Sequence, residues 1–158
     1  MFFRYLTHIL HHLFLEAWDI EIGYELPSWI PEGFAHYMEY KRFGDFLVTC
    51  YFERNTPVKI PAKLNVYIQK LLASRSHPSA ATIIQQKYNQ MDAAAHVVMF
   101  SFFHYLVEGQ PRERFIAFIR GVKRQRDQLA SFKAAYGFSL IQLDEAWRTW
   151  ALATYRGR

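Results

Sequence analysis

Three histidines stand close together near the start of the sequence, in the segment Thr7-His8-Ile9-Leu10-His11-His12. On a helix, His8 and His12 would lie one turn apart on one face, beside His11. Two imidazoles held by one rigid helix suit a tetrahedral zinc ion, which takes three or four nitrogen, sulfur or carboxylate donors. The segment therefore predicts two ligands of a zinc site.

The chain around these histidines is predicted to be helical. Apolar residues at positions 2, 3, 6, 9, 10, 13, 15 and 18 recur at helical spacing, which predicts a helix over residues 2–18. The following segment contains Gly23 and Pro27, and both residues interrupt a helix. The histidines are thus expected on a first helix that is separate from the rest of the chain.

A second helix is predicted after this interruption. Ser28 is a suitable N-cap, Pro31 fits the first turn, and the helical pattern continues until Gly44. Glu32 and His36 are four residues apart on this helix and share one face. The second helix can therefore present a carboxylate and an imidazole together.

The spacing of the histidines matches that of a hydrolytic zinc site, but one functional position holds a different type of residue. In the HExxH pattern of zinc peptidases, the residue after the first histidine is a glutamate that serves as general base. Ile9 occupies that position here, and its side chain cannot accept a proton. The pattern predicts a site that has kept ligands and lost its catalytic base.

Longer segments carry a family resemblance. "LPSWIPEGFAHYMEY" resembles the pattern LPxWxxEGxAxYxE, "YNQMDAAAHVVMFSFFHYLVEG" resembles YxQAxxxVxFLxxxxG, and "SFKAAYGFSLIQLDEAWRTW" resembles xFxxAFGxxLxxLExxWrxy. In this order they are similar to bacterial gluzincin-type (HExxH...E) zinc metallopeptidase domains, from about residue 4 to residue 155. The resemblance implies that the Glu before Gly is the third ligand. Glu32 stands there, 20 residues after His12.

The histidine helix can be aligned to this family in two ways. In the first alignment the ligands are His8 and His12. In the second, "LTHILHH" resembles "ELTHVLQH", so that His8 is the second histidine, and Arg4 and Tyr5 replace the first histidine and the glutamate. Both alignments lack the catalytic glutamate. We prefer the first because it keeps two imidazoles and the spacing to Glu32.

Two interpretations of the histidines remain open at this stage. His11 and His36 could also approach the same metal, and one hypothesis is a closed site of four donors, His8, His12, Glu32 and His36, with a structural or regulatory role. The alternative is that the histidines are vestigial and only pack against their neighbours. Zinc is the expected cofactor under the first interpretation.

The family resemblance also bears on activity. Gluzincin domains place a β-sheet lobe before the zinc helix, and this sequence begins at the helix, so we expect a fragment or a reduced, helical descendant. The predicted function is a metallopeptidase-like pseudoenzyme, inactive or impaired. The alternatives are a non-enzymatic helical interaction module with no metal, or a fragment of a longer active peptidase.

The composition predicts a mainly α fold in one domain. The chain has 158 residues, of which 51% are hydrophobic and 18% aromatic, and this excludes a disordered protein. Residues 1–44 are expected to hold the metal-site helices, and residues 62–158 a C-terminal helical part. Residues 45–62 are ambiguous and could contain one short strand.

Several other residues are expected to pack rather than to react. His96 is a weak candidate for stabilising an oxyanion, but both His96 and His104 are better interpreted as core or interface residues. Trp147, Trp150 and Tyr155 have the helical spacing of core residues. Cys50 lies in an apolar segment and is expected to be an inert, buried thiol.

The charge distribution limits the expected partners. The net charge is +5, and much of the excess lies between Arg112 and Arg126, which favours a solvated helix face over a nucleic-acid surface. A peptide or a protein is the candidate partner. Glu16 and the three histidines interrupt the first apolar run, and no run reaches the roughly 18 residues of a membrane span. We therefore expect neither a signal peptide nor a transmembrane segment, and a cytoplasmic location by default unless the chain is a fragment of an exported protein.

Overall fold

The computed structural model describes residues 2–19, 26–48, 63–87 and 90–156. These ranges contain eight helices: α1 (Phe2–Ala17), α2 (Trp29–Phe43), α3 (Leu64–Ser74), α4 (Ala80–Ile83), α5 (Ala93–Glu108), α6 (Arg112–Gln125), α7 (Gln128–Tyr136) and α8 (Leu140–Thr154). They contain no strand, and the prediction of a mainly α fold is confirmed. Gly23, Cys50 and most of the ambiguous segment 45–62 lie outside the described residues.

Helix α5 forms the centre of the fold. Every residue from position 95 to position 106 is buried, as expected for a helix that is apolar on all sides. Helices α2, α3, α4, α6 and α8 pack against it. Trp147 and Tyr155 are buried and Trp150 packs partly buried against the same core, which confirms their predicted role.

Helix α1 packs against α2 with its polar side inward. His8 is completely buried, whereas Phe3, Leu10, Leu13 and Phe14 on α1 are more than half exposed. A surface helix ordinarily turns its apolar stripe toward the core and its polar residues toward water. The orientation of α1 is therefore set by the histidines, and an apolar stripe is left on the outside.

Helix α2 lies unusually close to α5. A Cβ atom at Gly33 would be only 2.7 Å from Phe103 Cδ2, so a glycine is required for this approach. Gly44 ends the helix in the left-handed conformation, with a φ of 78°. Ser28 occupies the predicted N-cap position, but its backbone is helical and its side chain makes no capping hydrogen bond. The close approach brings the residues next to Gly33 against α5.

The basic segment is mainly, but not entirely, solvated. Arg112, Arg120 and Arg124 on α6 are exposed, as predicted. Lys123 is buried, which corrects the prediction for this residue. Its Nζ donates to the carbonyl oxygen of Glu16 at 2.8 Å and to that of Trp18, because the last carbonyls of α1 have no partner within the helix. Lys123 thereby fixes the end of the histidine helix.

Helix α4 is short. It begins after Ser79, whose side chain accepts a hydrogen bond from Thr82 N, and it ends at Ile83, which is followed by the buried Ile84. No described helix has the length and the hydropathy required to cross a membrane.

Candidate metal centre

Six ionisable side chains from three helices meet inside the fold. They are His8 and His12 from α1, Glu32, His36 and Glu39 from α2, and His96 from α5, and we call them the His–Glu cluster. Five of them are completely buried, and the His12 side chain is 21% exposed. Buried charged groups are costly unless they are paired or coordinate a metal. The contacts within the cluster show which of these applies.

Three donors face one another at the open edge of the cluster. His8 Nε2 lies 3.1 Å from His12 Nε2 and 3.5 Å from Glu32 Oε2, and His12 Nε2 lies 2.8 Å from the same oxygen. Donors of a tetrahedral zinc ion with bonds of about 2.0–2.1 Å are about 3.3–3.4 Å apart. This first donor triad thus has nearly the spacing that one zinc ion requires.

The other oxygen of Glu32 belongs to a second set of donors. Oε1 lies 3.0 Å from His36 Nε2 and 3.5 Å from His96 Nδ1, and the two imidazole nitrogens are 3.2 Å apart. We call these three atoms the second donor triad. Its spacing is close to that of the first donor triad, so Glu32 presents one oxygen to each.

Glu39 contacts the opposite side of two histidine rings. Its Oε2 lies 3.3 Å from Nδ1 of His8 and 3.3 Å from Nδ1 of His36. If both Nδ1–H groups donate to this carboxylate, Nε2 of each ring is unprotonated and faces Glu32. Histidine ligands of metals commonly have such a carboxylate behind the ring, which fixes the tautomer and orientation.

The electrostatics favour ionised carboxyl groups at Glu32 and Glu39 and a neutral imidazole at His96. Burial disfavours ionised Glu32, but the charge of His36 and the hydrogen bond from His12 outweigh burial and hold the pKa of this carboxyl well below its usual range. Burial similarly opposes ionisation of Glu39, and its contacts with the two histidines lower its pKa. Burial and the nearby charge of His36 lower the pKa of His96 to about 4, so its imidazole is neutral at pH 7.

The cluster also contains polar atoms that protein groups alone do not satisfy. Glu32 Oε1, Glu39 Oε1 and His96 Nε2 are buried and make no hydrogen bond of good geometry. Most buried polar atoms are hydrogen-bonded, and exceptions often mark an unseen ion or water. A metal ion is consistent with this donor set, which can hold one in three groups of described residues: His8 with His12 and Glu32, His8 with His36 and Glu39, and Glu32 with His36 and His96.

The structure distributes the predicted ligands differently from the hypothesis of one four-donor site. His8, His12 and Glu32 converge, but His36 does not form one group with all three of them. It lies instead with Glu32 and His96, or with His8 and Glu39. The four predicted donors are thus divided between overlapping groups of three, and the four-donor site stays a prediction.

His11 and Arg4 lie near the cluster but outside it. His11 Nδ1 is 2.6 Å from the Thr7 carbonyl oxygen, and its ring packs edge-on against Phe34. Arg4 Nη1 pairs with Asp45 at 2.6 Å, so Arg4 takes no place beside Glu32. The structure thus brings His8 and His12, and not Arg4, beside Glu32.

Sequence reasoning missed Glu39 and underrated His96. Glu39 follows His36 by three residues and Glu32 by seven, so helical spacing puts it on the face of the ligands. His96 has no such signal, because it comes from a distant part of the chain. The Asp92 side chain accepts from Ala95 N at 2.8 Å and starts α5 so that His96 lies in its first turns.

Comparison with protein-family models, curated proteins and solved structures finds no match for this chain.

Proposed function

We propose that this protein is a gluzincin-like, metallopeptidase-related protein that binds zinc through His8, His12 and Glu32 and has lost most or all hydrolytic activity. The first donor triad supports the proposal, because its three atoms are separated by 2.8–3.5 Å around a partly open edge. Bound zinc would supply a Lewis acid at that edge. His8 and His12 would hold it by Nε2, and Glu32 by Oε2.

The expected loss of activity rests on the position of Ile9. Neither carboxylate of the His–Glu cluster takes the place of the missing base, since Glu32 belongs to the donors and Glu39 contacts the histidine rings from their Nδ1 side. General acid–base catalysis typically contributes about 10²–10⁴ in rate. The protein should therefore bind zinc well, and the zinc-loaded protein should cleave peptides poorly.

Zinc titration of the metal-free protein by calorimetry, with His12→Ala as the variant, tests the proposed ligands. His11→Ala is a matched control, because His11 directly precedes His12 on the same helix and contacts the Thr7 carbonyl instead of the cluster. We expect His12→Ala to weaken zinc binding by more than about 100-fold, and His11→Ala to leave it unchanged. Equal zinc affinities of His12→Ala and the wild type would refute the ligand assignment.

Peptidase assays test the other half of the proposal. Zinc-loaded wild-type protein should cleave a mixture of fluorogenic peptides no faster than His12→Ala, the variant that lacks a ligand. A zinc-dependent rate that is present in the wild type and lost in His12→Ala would show that the site is an active hydrolase.

The outer face of α1 favours a second candidate function, that of a helical interaction module. Phe3 is 77% exposed, Phe14 62%, and Leu10 and Leu13 more than half, and contiguous apolar surface often marks a site of protein contact. In this case the histidines would only pack, with no metal. Elemental analysis of protein purified without chelators separates the two functions, since the module would contain no stoichiometric zinc.

A further inference from the structure

We infer that the His–Glu cluster is a dinuclear centre: a second transition-metal ion binds to His36 Nε2, His96 Nδ1 and Glu32 Oε1, and Glu32 bridges the two ions. This inference rests on the proposed zinc site, because Glu32 serves both positions. It adds two ligands, from α2 and α5, that the gluzincin resemblance does not assign.

The spacing of the second donor triad supports this position. Its three separations are 3.0, 3.2 and 3.5 Å, against 2.8, 3.1 and 3.5 Å in the first donor triad. Both sets agree with the roughly 3.3–3.4 Å expected around a tetrahedral ion with bonds of about 2.0–2.1 Å. The two oxygens of Glu32 divide between the triads, as in a bridging carboxylate.

The hydrogen-bonding possibilities of His36 point to the same conclusion. When its Nδ1–H donates to Glu39, a neutral His36 turns the lone pair of Nε2 toward Glu32 Oε1 at 3.0 Å. In this tautomer a nitrogen acceptor and an oxygen acceptor face each other, and a metal ion between them would contact both. Glu32 Oε1 makes no hydrogen bond of good geometry there, which favours the metal.

The donors also limit the kind of metal. Imidazole nitrogen suits zinc, copper, iron and nickel, whereas magnesium and calcium prefer oxygen ligands. The positive charge of two divalent ions exceeds the negative charge of Glu32 and Glu39. The second ion should therefore bind more weakly than the first. Both imidazoles of the second position are fully buried, whereas the His12 side chain is 21% exposed, so the second ion should also leave more slowly.

The test is the number of zinc ions per chain, measured by equilibrium dialysis and elemental analysis with zinc chloride as the probe. The wild type is compared with His96→Gln and with His104→Gln. His104 is a matched control, because it lies two turns further along α5, is also buried, and contacts Tyr155 and Glu108 instead of the cluster. We expect two ions in the wild type and in His104→Gln, and one in His96→Gln.

Each outcome has a separate meaning. One ion in the wild type overturns the dinuclear centre and leaves the proposed zinc site standing, whereas no ion overturns both. Two ions in both wild type and His96→Gln would place the second ion elsewhere and also overturn the inference. Should His96→Gln fail to fold, His36→Gln is the second variant and is expected to bind one ion. Displacement of the second zinc by millimolar magnesium would contradict a nitrogen-rich position.

Discussion

Two groups of histidine and glutamate side chains among the described residues are built in opposite ways. In the His–Glu cluster, imidazole nitrogens and carboxylate oxygens face one another, and three of its buried atoms lack a hydrogen bond. The second group surrounds His104, which contacts the Tyr155 hydroxyl at 2.7 Å and Glu108 Oε2 at 3.0 Å. Glu108 Oε1 also accepts from Tyr37 at 2.7 Å and from Lys41 at 2.9 Å.

The difference separates a packing histidine from a candidate ligand. Around His104, donors and acceptors can be paired with a neutral ring, and burial lowers the pKa of this histidine. None of the buried atoms in this group lacks a partner among the described residues. In the His–Glu cluster, three buried atoms lack a hydrogen-bond partner, and a bound cation would contact one of them, Glu32 Oε1. Burial alone therefore does not identify a metal site, whereas unmatched acceptors support one.

The largest expected effect comes from Glu32→Gln. Because Glu32 contributes an oxygen to each donor triad, its replacement should weaken zinc binding at both positions by more than about 100-fold. Glu108→Gln is the control, since it changes a carboxylate beside the other buried histidine and should leave zinc binding unchanged. Calorimetric titration of both variants makes the comparison. If Glu32→Gln bound zinc as tightly as the wild type, the histidines of the His–Glu cluster would only pack against their neighbours, as His104 does.

A smaller effect is expected for Glu39→Gln. Glu39 contacts Nδ1 of His8 and His36, so we interpret it as a carboxylate that orients ligands and does not itself bind the metal. Losing such a carboxylate typically lowers metal affinity by about 10–100-fold. The number of zinc ions at saturation should stay the same. One ion fewer at saturation would instead identify Glu39 as a direct ligand.

The sequence predicted those features of the fold and the site that depend on the spacing of residues along a single helix. The separation of His8 and His12 places both on one face, and the mainly α fold follows from apolar periodicity. The spacing to Glu32 was recognised from the family resemblance, and the packing of α1 on α2 brings this carboxylate to both histidines.

Features that depend on tertiary packing were not predictable in this way. His96 follows His36 by 60 residues, and only the approach of α2 to α5 at Gly33 brings their rings together. The sequence also did not predict which side of α1 faces inward, since the apolar stripe of this helix would ordinarily be assigned to the core. Lys123 was assigned to a solvated face because local charge does not show which carbonyl groups a folded chain leaves unpaired.

The smallest expected effect concerns the pH dependence of the His104 group. Burial raises the pKa of Glu108, but hydrogen bonds from Tyr37, Lys41 and His104 outweigh it and lower the pKa to about 2. A lowered carboxyl pKa stabilises the fold above the unfolded-state value of about 4.3, and this contribution is lost as pH falls toward 2. Because the side chain is 37% exposed, solvent screening reduces the contribution to about 1 kcal/mol or less.

Glu108→Gln should therefore be less stable than the wild type at pH 7, and the difference should shrink progressively below pH 4. Urea unfolding of both metal-free proteins between pH 3 and pH 7 measures this difference in the free energy of unfolding. The same substitution leaves the His–Glu cluster untouched, so zinc should raise the stability of wild type and variant equally at pH 7. A pH-independent difference would mean that the charge of Glu108 contributes nothing and that its contacts act only through packing.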